Sequence, residues 1–207
     1  MVKTDRFIFL EMPKCATTFI STFLCETFDD AEWVESGRHN GLKEPSDKFV
    51  FASIRNPFDW YVSMYHDTKD KLDHPYHPMT KDRTFIEFMY YLFTTKHDDT
   101  YGYDFKCMKK RRIGYCTLRY DNTYYIEPDF VIRFENLYSD IAECFKALGS
   151  PLTINQVAKL VYSEKKRVSV GRLHYSCYYT ENPSLVELVL DRDRKIFEKY
   201  NYGFGDK

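Results

Sequence analysis

The sequence predicts an α/β fold: a single domain over residues 1–207, with a central parallel sheet flanked by helices. Three observations lead there. Short, almost unbroken apolar runs recur along the chain, the pattern of strands buried on both faces. The first two of these runs each pass through a short loop into a stretch with helical periodicity, the opening of an α/β domain. No internal repeat, linker or low-complexity tract divides the chain.

The first run, residues 6–11 (Arg-Phe-Ile-Phe-Leu-Glu), is predicted as a buried strand. Residues 12–18 turn, and residues 17–28 place Phe19, Ile20, Phe23, Leu24 and Phe28 on one side of a helix. Residues 48–54 repeat the strand pattern. Arg55-Asn56-Pro57 is the next turn, with Pro57 suited to a first helical position, and a helix follows over 58–69. Residues 70–82, with Pro75 and Pro78, read as a loop, and 84–96 as a helix. The polar, tyrosine-rich stretch 98–128 predicts irregular structure or a short hairpin. Residues 129–134 form a third buried strand, and a helix over 138–148 is stopped by Gly149-Ser150-Pro151. A short helix over 154–162 leads into a basic loop at 163–167. The last helix starts at Ser184, where Glu187 completes a capping box, and runs to about residue 200.

Composition narrows the function classes. With 43% hydrophobic and 29% charged residues the chain is globular rather than disordered, and 207 residues can bury a real core. The 18 Tyr and 17 Phe build much of that core and suit a pocket for a flat ligand, although an AT-rich genome explains them equally well. A net charge of −1 argues against a nucleic-acid-binding surface, so any anion site is local. No secretory leader is expected from the opening residues, no apolar run is long enough to span a membrane and no usable glycosylation acceptor occurs, Asn182 being followed by Pro183; the expected location is cytoplasmic. Six cysteines without a C-x-x-C pair are expected to be free thiols. The oligomeric state is open.

Two loops carry the chemistry. Pro13-Lys14-Cys15-Ala16-Thr17-Thr18 lies where a strand turns into a helix, so amides and the helix dipole converge on an anion. Lys14 adds a charge, and Thr17 and Thr18 add hydroxyls. The same residues could merely start a helix. The Walker A pattern is absent, which counts against an ordinary ATP or GTP enzyme. In the second loop, Arg55 stands at a strand's carboxyl end and Ser63 in the second turn of the next helix, a pair able to clamp one phosphate. The alternative is that Arg55 pairs with a carboxylate and Ser63 is passive.

Together the loops resemble the family of sulfotransferases that use 3′-phosphoadenosine 5′-phosphosulfate (PAPS), with its P-K-x-G-T-T and R-N-P-x-D-x-x-x-S motifs. Residues 48–60, the Arg133-Phe134-Glu135-Asn136-Leu137 ending of the third strand and the closing Phe197 to Phe204 stretch are similar to the carbohydrate-type branch. Ala16 departs from the glycine that many members carry. The resemblance implies a P-loop-like nucleotide-binding fold and sulfuryl transfer to a hydroxyl or amine. The acceptor it implies is a glycan or small glycoside, and the other product is 3′-phosphoadenosine 5′-phosphate (PAP). It places Lys14 against the leaving oxygen, Cys15, Ala16, Thr17, Thr18 and Phe19 around the 5′-phosphate, and Arg55 and Ser63 on the 3′-phosphate. Arg167 or Arg172 would close over the 3′-phosphate from the late basic loop. No metal is implied; His74 and His77 form a poor site. The general base is assigned to His39, with Glu35 as rival and His66 or His174 beyond them. Another phosphate-handling enzyme, or a nucleotide-binding module without chemistry, is the competing reading.

Overall fold

The structure, a computed structural model, describes residues 1–34, 41–69, 71–94, 102–163 and 172–205. The elements run β1 (Val2–Lys3), β2 (Phe7–Leu10), α1 (Thr17–Thr27), β3 (Glu32–Trp33), β4 (Phe49–Ile54), α2 (Pro57–Lys69), α3 (His77–Thr80), α4 (Phe85–Thr94), α5 (Gly102–Arg111) and α6 (Tyr115–Thr123). They continue with β5 (Phe130–Arg133), a 3₁₀ turn (Phe134–Asn136), α7 (Leu137–Ala147), α8 (Ile154–Tyr162), α9 (Ser176–Tyr179), α10 (Pro183–Arg192) and α11 (Arg194–Tyr200). The chain falls into two compact units: Met1–Arg55 with Arg119–Val168, and Asn56–Leu118 with Ser169–Lys207.

The first unit holds the sheet, in the order β3-β1-β2-β4-β5. Its core is parallel as expected: β2 pairs with β4 (Phe7↔Phe49 to Leu10↔Ala52), and β4 with β5 (Phe51↔Phe130 to Ile54↔Arg133). β1 and β3 extend it antiparallel on the β2 side. At two residues each they are too short to show a period in sequence. Strand residues alternate faces, and Phe7, Phe9 and Phe51 pack with Phe23 and Leu24 of α1, Ile141 and Phe145 of α7, and Leu160 of α8. The Phe7 ring lies 5.4 Å from that of Phe51 and 5.6 Å from that of Phe145. β5 was expected to be buried throughout, but it lies at the sheet edge and buries only Ile132. The Asp129 carboxylate before it accepts the Val50 amide at 2.7 Å, which fixes the register.

The second unit is helical. Phe58 of α2 meets the rings of Tyr179, Phe197 and Phe204 at 5.0–5.1 Å. The segment expected to be irregular or a hairpin instead forms α5 and α6, whose Phe105, Met108, Tyr115, Cys116 and Leu118 are buried. A short α3 also interrupts the predicted 70–82 loop. The closing helix is two helices, broken at Asp193. Its capping box does not form: Asn182 is the N-cap and Pro183 the first helical residue, so Ser184 lies inside the helix and its hydroxyl meets that of Tyr90 at 3.0 Å. Asp193 is fully buried. Its Oδ1 accepts the Thr117 amide at 2.7 Å and its Oδ2 the Tyr61 hydroxyl at 2.8 Å. Burial raises its pKa from 3.8 to about 6, against the lowering effect of those two hydrogen bonds. Gly114 lies so close that a Cβ there would fall 2.1 Å from Asp193 Oδ2.

Candidate functional site

Between β2 and α1 the backbone twice enters the left-handed region at non-glycine residues, Lys14 (φ 69°) and Ala16 (φ 59°). Such alternation turns successive amides toward a common concavity, a geometry that binds anions. Ala16 is the N-cap of α1 and makes no side-chain capping bond, and the first turn carries no acidic residue. The positive end of the 11-residue helix is therefore not neutralised by its own side chains. Left-handed non-glycine residues cost about 1–2 kcal/mol each, and the surroundings supply the anchors. Glu11, buried at the start of the turn, accepts Ser21 Oγ at 2.8 Å, Trp33 Nε1 at 3.3 Å and the Met1 ammonium at 2.6 Å. Further along, Arg55 Nη1 donates to the Lys14 carbonyl at 3.0 Å.

Arg55 extends from the carboxyl end of β4, the parallel neighbour of β2, where ligands of α/β sheets bind. It is only 4% exposed, and its guanidinium carbon stands 3.7 Å from the centroid of the Phe134 ring. The β4–β5 register accounts for this: Ile54 pairs with Arg133, so the next residues, Arg55 and Phe134, come side by side. Lys14 and Arg55, assigned from two separate motifs, thus meet through one hydrogen bond. Around them, Thr17 is buried and Thr18 half-buried. Cys15 is fully buried with Sγ 3.6 Å from the Pro13 carbonyl, and Phe19 packs edge-on against Tyr138 at 5.9 Å. Those two side chains belong to the core, and only their backbone can serve a ligand.

In the second unit, Asn56 Oδ1 accepts the Phe58 amide at 3.0 Å and its Nδ2 donates to the Gly203 carbonyl at 2.9 Å, which fixes the first turn of α2. Asp59, Ser63 and His66 follow at helical spacing along one side of α2. Arg172 forms an ion pair with Asp59 and reaches its carbonyl at 3.3 Å, one turn before Ser63. His66 Nε2 lies 2.7 Å from the Tyr178 hydroxyl. Glu35, His39 and Arg167 lie outside the described residues. Among the described residues no group of His, Cys, Asp or Glu is placed to hold a metal; His74 Nδ1 accepts the Tyr76 amide and His77 Nδ1 faces the Thr68 carbonyl, each at 3.1 Å.

The family model described as the sulfotransferase family matches residues 1–201, a span that runs through both compact units. The chain belongs to the sulfotransferase family. Comparison with curated proteins and with solved structures gave no match. The activity of the family is sulfuryl transfer, and this chain places Arg55 directly after β4 and Lys14 in the turn after the adjacent parallel strand β2. Sequence reasoning overlooked three residues of the arrangement. Glu11 was signalled by a carboxylate ending an apolar run, and Phe134 only by a strand register that sequence does not give. Asp59 was part of the quoted motif, but nothing local pairs it with a residue 113 positions away. No helix among the described residues is long and apolar enough to cross a membrane.

Proposed function

We propose that the chain transfers a sulfuryl group from PAPS to an acceptor hydroxyl or amine, with a glycan or small glycoside as the acceptor class. The observation that carries this reading is the meeting of Lys14 and Arg55: the guanidinium of one motif donates to the backbone carbonyl of the other motif's lysine, at the mouth of two parallel strands. In the reaction, the acceptor oxygen attacks sulfur while the bond from sulfur to the bridging oxygen of the 5′-phosphate breaks. The electron pair stays on that oxygen and PAP leaves. Lys14 stabilises the charge as it develops, the role of a preorganised electrostatic donor. The turn amides, Thr17 and Thr18 hold the 5′-phosphate, and Arg55 and Ser63, joined by Arg167 or Arg172, hold the 3′-phosphate that separates this donor from ATP. A base, His39 with Glu35 as rival, takes the acceptor proton.

Thermal melting with PAP, ATP and GTP is the first test. Selective stabilisation by PAP supports the reading, and preference for ATP or GTP overturns it. Turnover of labelled PAPS against a panel of sugars, phenols and amines then tests the acceptor class. Binding of PAP without any transfer would mark a nucleotide-binding module instead.

A further inference from the structure

We propose that Phe134 is a positioning residue that acts through Arg55 on Lys14: ring, guanidinium and carbonyl form a brace that holds the lysine in its left-handed conformation. The inference rests on the reading of Lys14 as the leaving-group residue. Lys14 has φ 69°, a conformation that a non-glycine residue keeps only where its surroundings enforce it. The bond from Arg55 Nη1 to the Lys14 carbonyl, 3.0 Å, is such an enforcement. A peptide unit is planar, so fixing that carbonyl also fixes the Cys15 amide, antiparallel to it in the same plane. One contact therefore sets both the exit of the lysine side chain and the direction of an amide in the turn.

The guanidinium must itself be located. A flexible arginine would gain little by reaching a carbonyl, because ordering its side chain costs entropy. Phe134 removes that freedom. Its ring lies 3.7 Å from the guanidinium carbon, and Arg55 is 4% exposed, so the stacking is largely desolvated and correspondingly strong. The brace runs across three neighbouring parallel strands, from the end of β5 through the end of β4 to the turn after β2. Loss of the ring should loosen Lys14 while the charge of Arg55 remains for the nucleotide, so turnover should fall more than affinity.

The experiment compares wild type with Phe134→Leu and Phe134→Tyr. Three quantities are read: amide hydrogen exchange of residues 14–18, with residues 50–53 of β4 as internal reference; the dissociation constant of PAP; and kcat for PAP release from PAPS with water as acceptor. In Phe134→Leu, exchange in 14–18 should quicken by about tenfold or more relative to β4, since local opening sets exchange. kcat should fall about ten- to hundredfold, the scale of a small misplacement, while the PAP dissociation constant moves by less than about threefold. Phe134→Tyr, which keeps the ring, should restore all three. Unchanged exchange, or equal losses in kcat and PAP affinity, overturns the brace. If wild type neither binds PAP nor releases it from PAPS, the proposed function fails, and the exchange comparison alone decides the brace. Should Phe134→Leu not fold, Phe134→Met replaces it, because an unbranched thioether fills much of the volume but has no ring to stack on the guanidinium; the same pattern is expected and the same results refute it.

Discussion

Replacing Asp193 by Asn should flatten the pH dependence of stability between about pH 4 and pH 7. The carboxyl is fully buried, and its neighbours Tyr61, Tyr179 and Cys116 bring no positive charge. Burial lifts its pKa from 3.8 to about 6. The folded state therefore holds the proton more tightly than the unfolded chain. Its contribution is fully present below about pH 4 and is lost as pH rises toward and through 6. At about 1.4 kcal/mol per pH unit the loss is about 3 kcal/mol, of which about 2–3 kcal/mol falls above pH 4. Asparagine cannot ionise, but its amide nitrogen, unlike a carboxyl oxygen, accepts no hydrogen bond, so either the Thr117 amide or the Tyr61 hydroxyl loses its acceptor. That mismatch costs about 1–3 kcal/mol at every pH. Urea unfolding of both proteins at pH 4, 5, 6 and 7 separates the two effects. Wild type should lead the variant at pH 4, and that lead should shrink by about 2–3 kcal/mol by pH 7. A lead that stays constant, or grows with pH, would show that the ionised carboxylate is at home in the core and would refute the reasoning.

Lys14→Ala should lower kcat with PAPS by about a hundredfold or more while the melting temperature holds, the size seen for lost electrostatic donors; near-normal turnover removes Lys14 from the chemistry. His39→Ala should lower kcat by about a hundred- to ten-thousandfold, leave PAP affinity in place and abolish the acidic limb of the rate profile. If Glu35→Gln does this and His39→Ala does not, the base is the carboxylate. Ala16→Gly relieves a left-handed residue at a cost in unfolded-chain entropy of about 0.4–1 kcal/mol, so stability should hold or rise. The matched change Ala142→Gly inside α7 should cost about 1 kcal/mol, and equal losses at both sites would show that Ala16 is unstrained.

The parallel core and both loops were legible because their signals are local. β2 and β4 are continuous apolar runs, and the turn chemistry follows directly after each. α8 has the bounds its pattern predicts. What escaped depends on partners distant in sequence. α5 and α6 bury aromatic residues among many polar ones, so the helical period is diluted by tyrosines that face inward. The break at Asp193 answers to Thr117 and Tyr61, 76 and 132 residues away, and no propensity encodes it. The edge position of β5 follows from sheet order rather than from Phe-Val-Ile-Arg, which would suit a central strand as well. In the site the motifs named Lys14 and Arg55 but gave them separate phosphates; their direct bond required the fold.

That bond changes what each motif can be said to do. A left-handed lysine followed one residue later by a left-handed alanine represents about 2–4 kcal/mol of local strain. A turn under such strain would relax if it were tied only at its ends. Glu11 fixes the entry, through α1 and β3, and the first helical bond, Ile20 N to the Ala16 carbonyl at 3.0 Å, fixes the exit. Arg55 reaches the middle of the turn. A charge-assisted bond of this kind contributes about 1.5–3 kcal/mol, comparable with the strain it opposes. It follows that an arginine assigned to nucleotide recognition by its motif also shapes the turn that carries the lysine. A substitution there should not be read as a pure loss of phosphate contact.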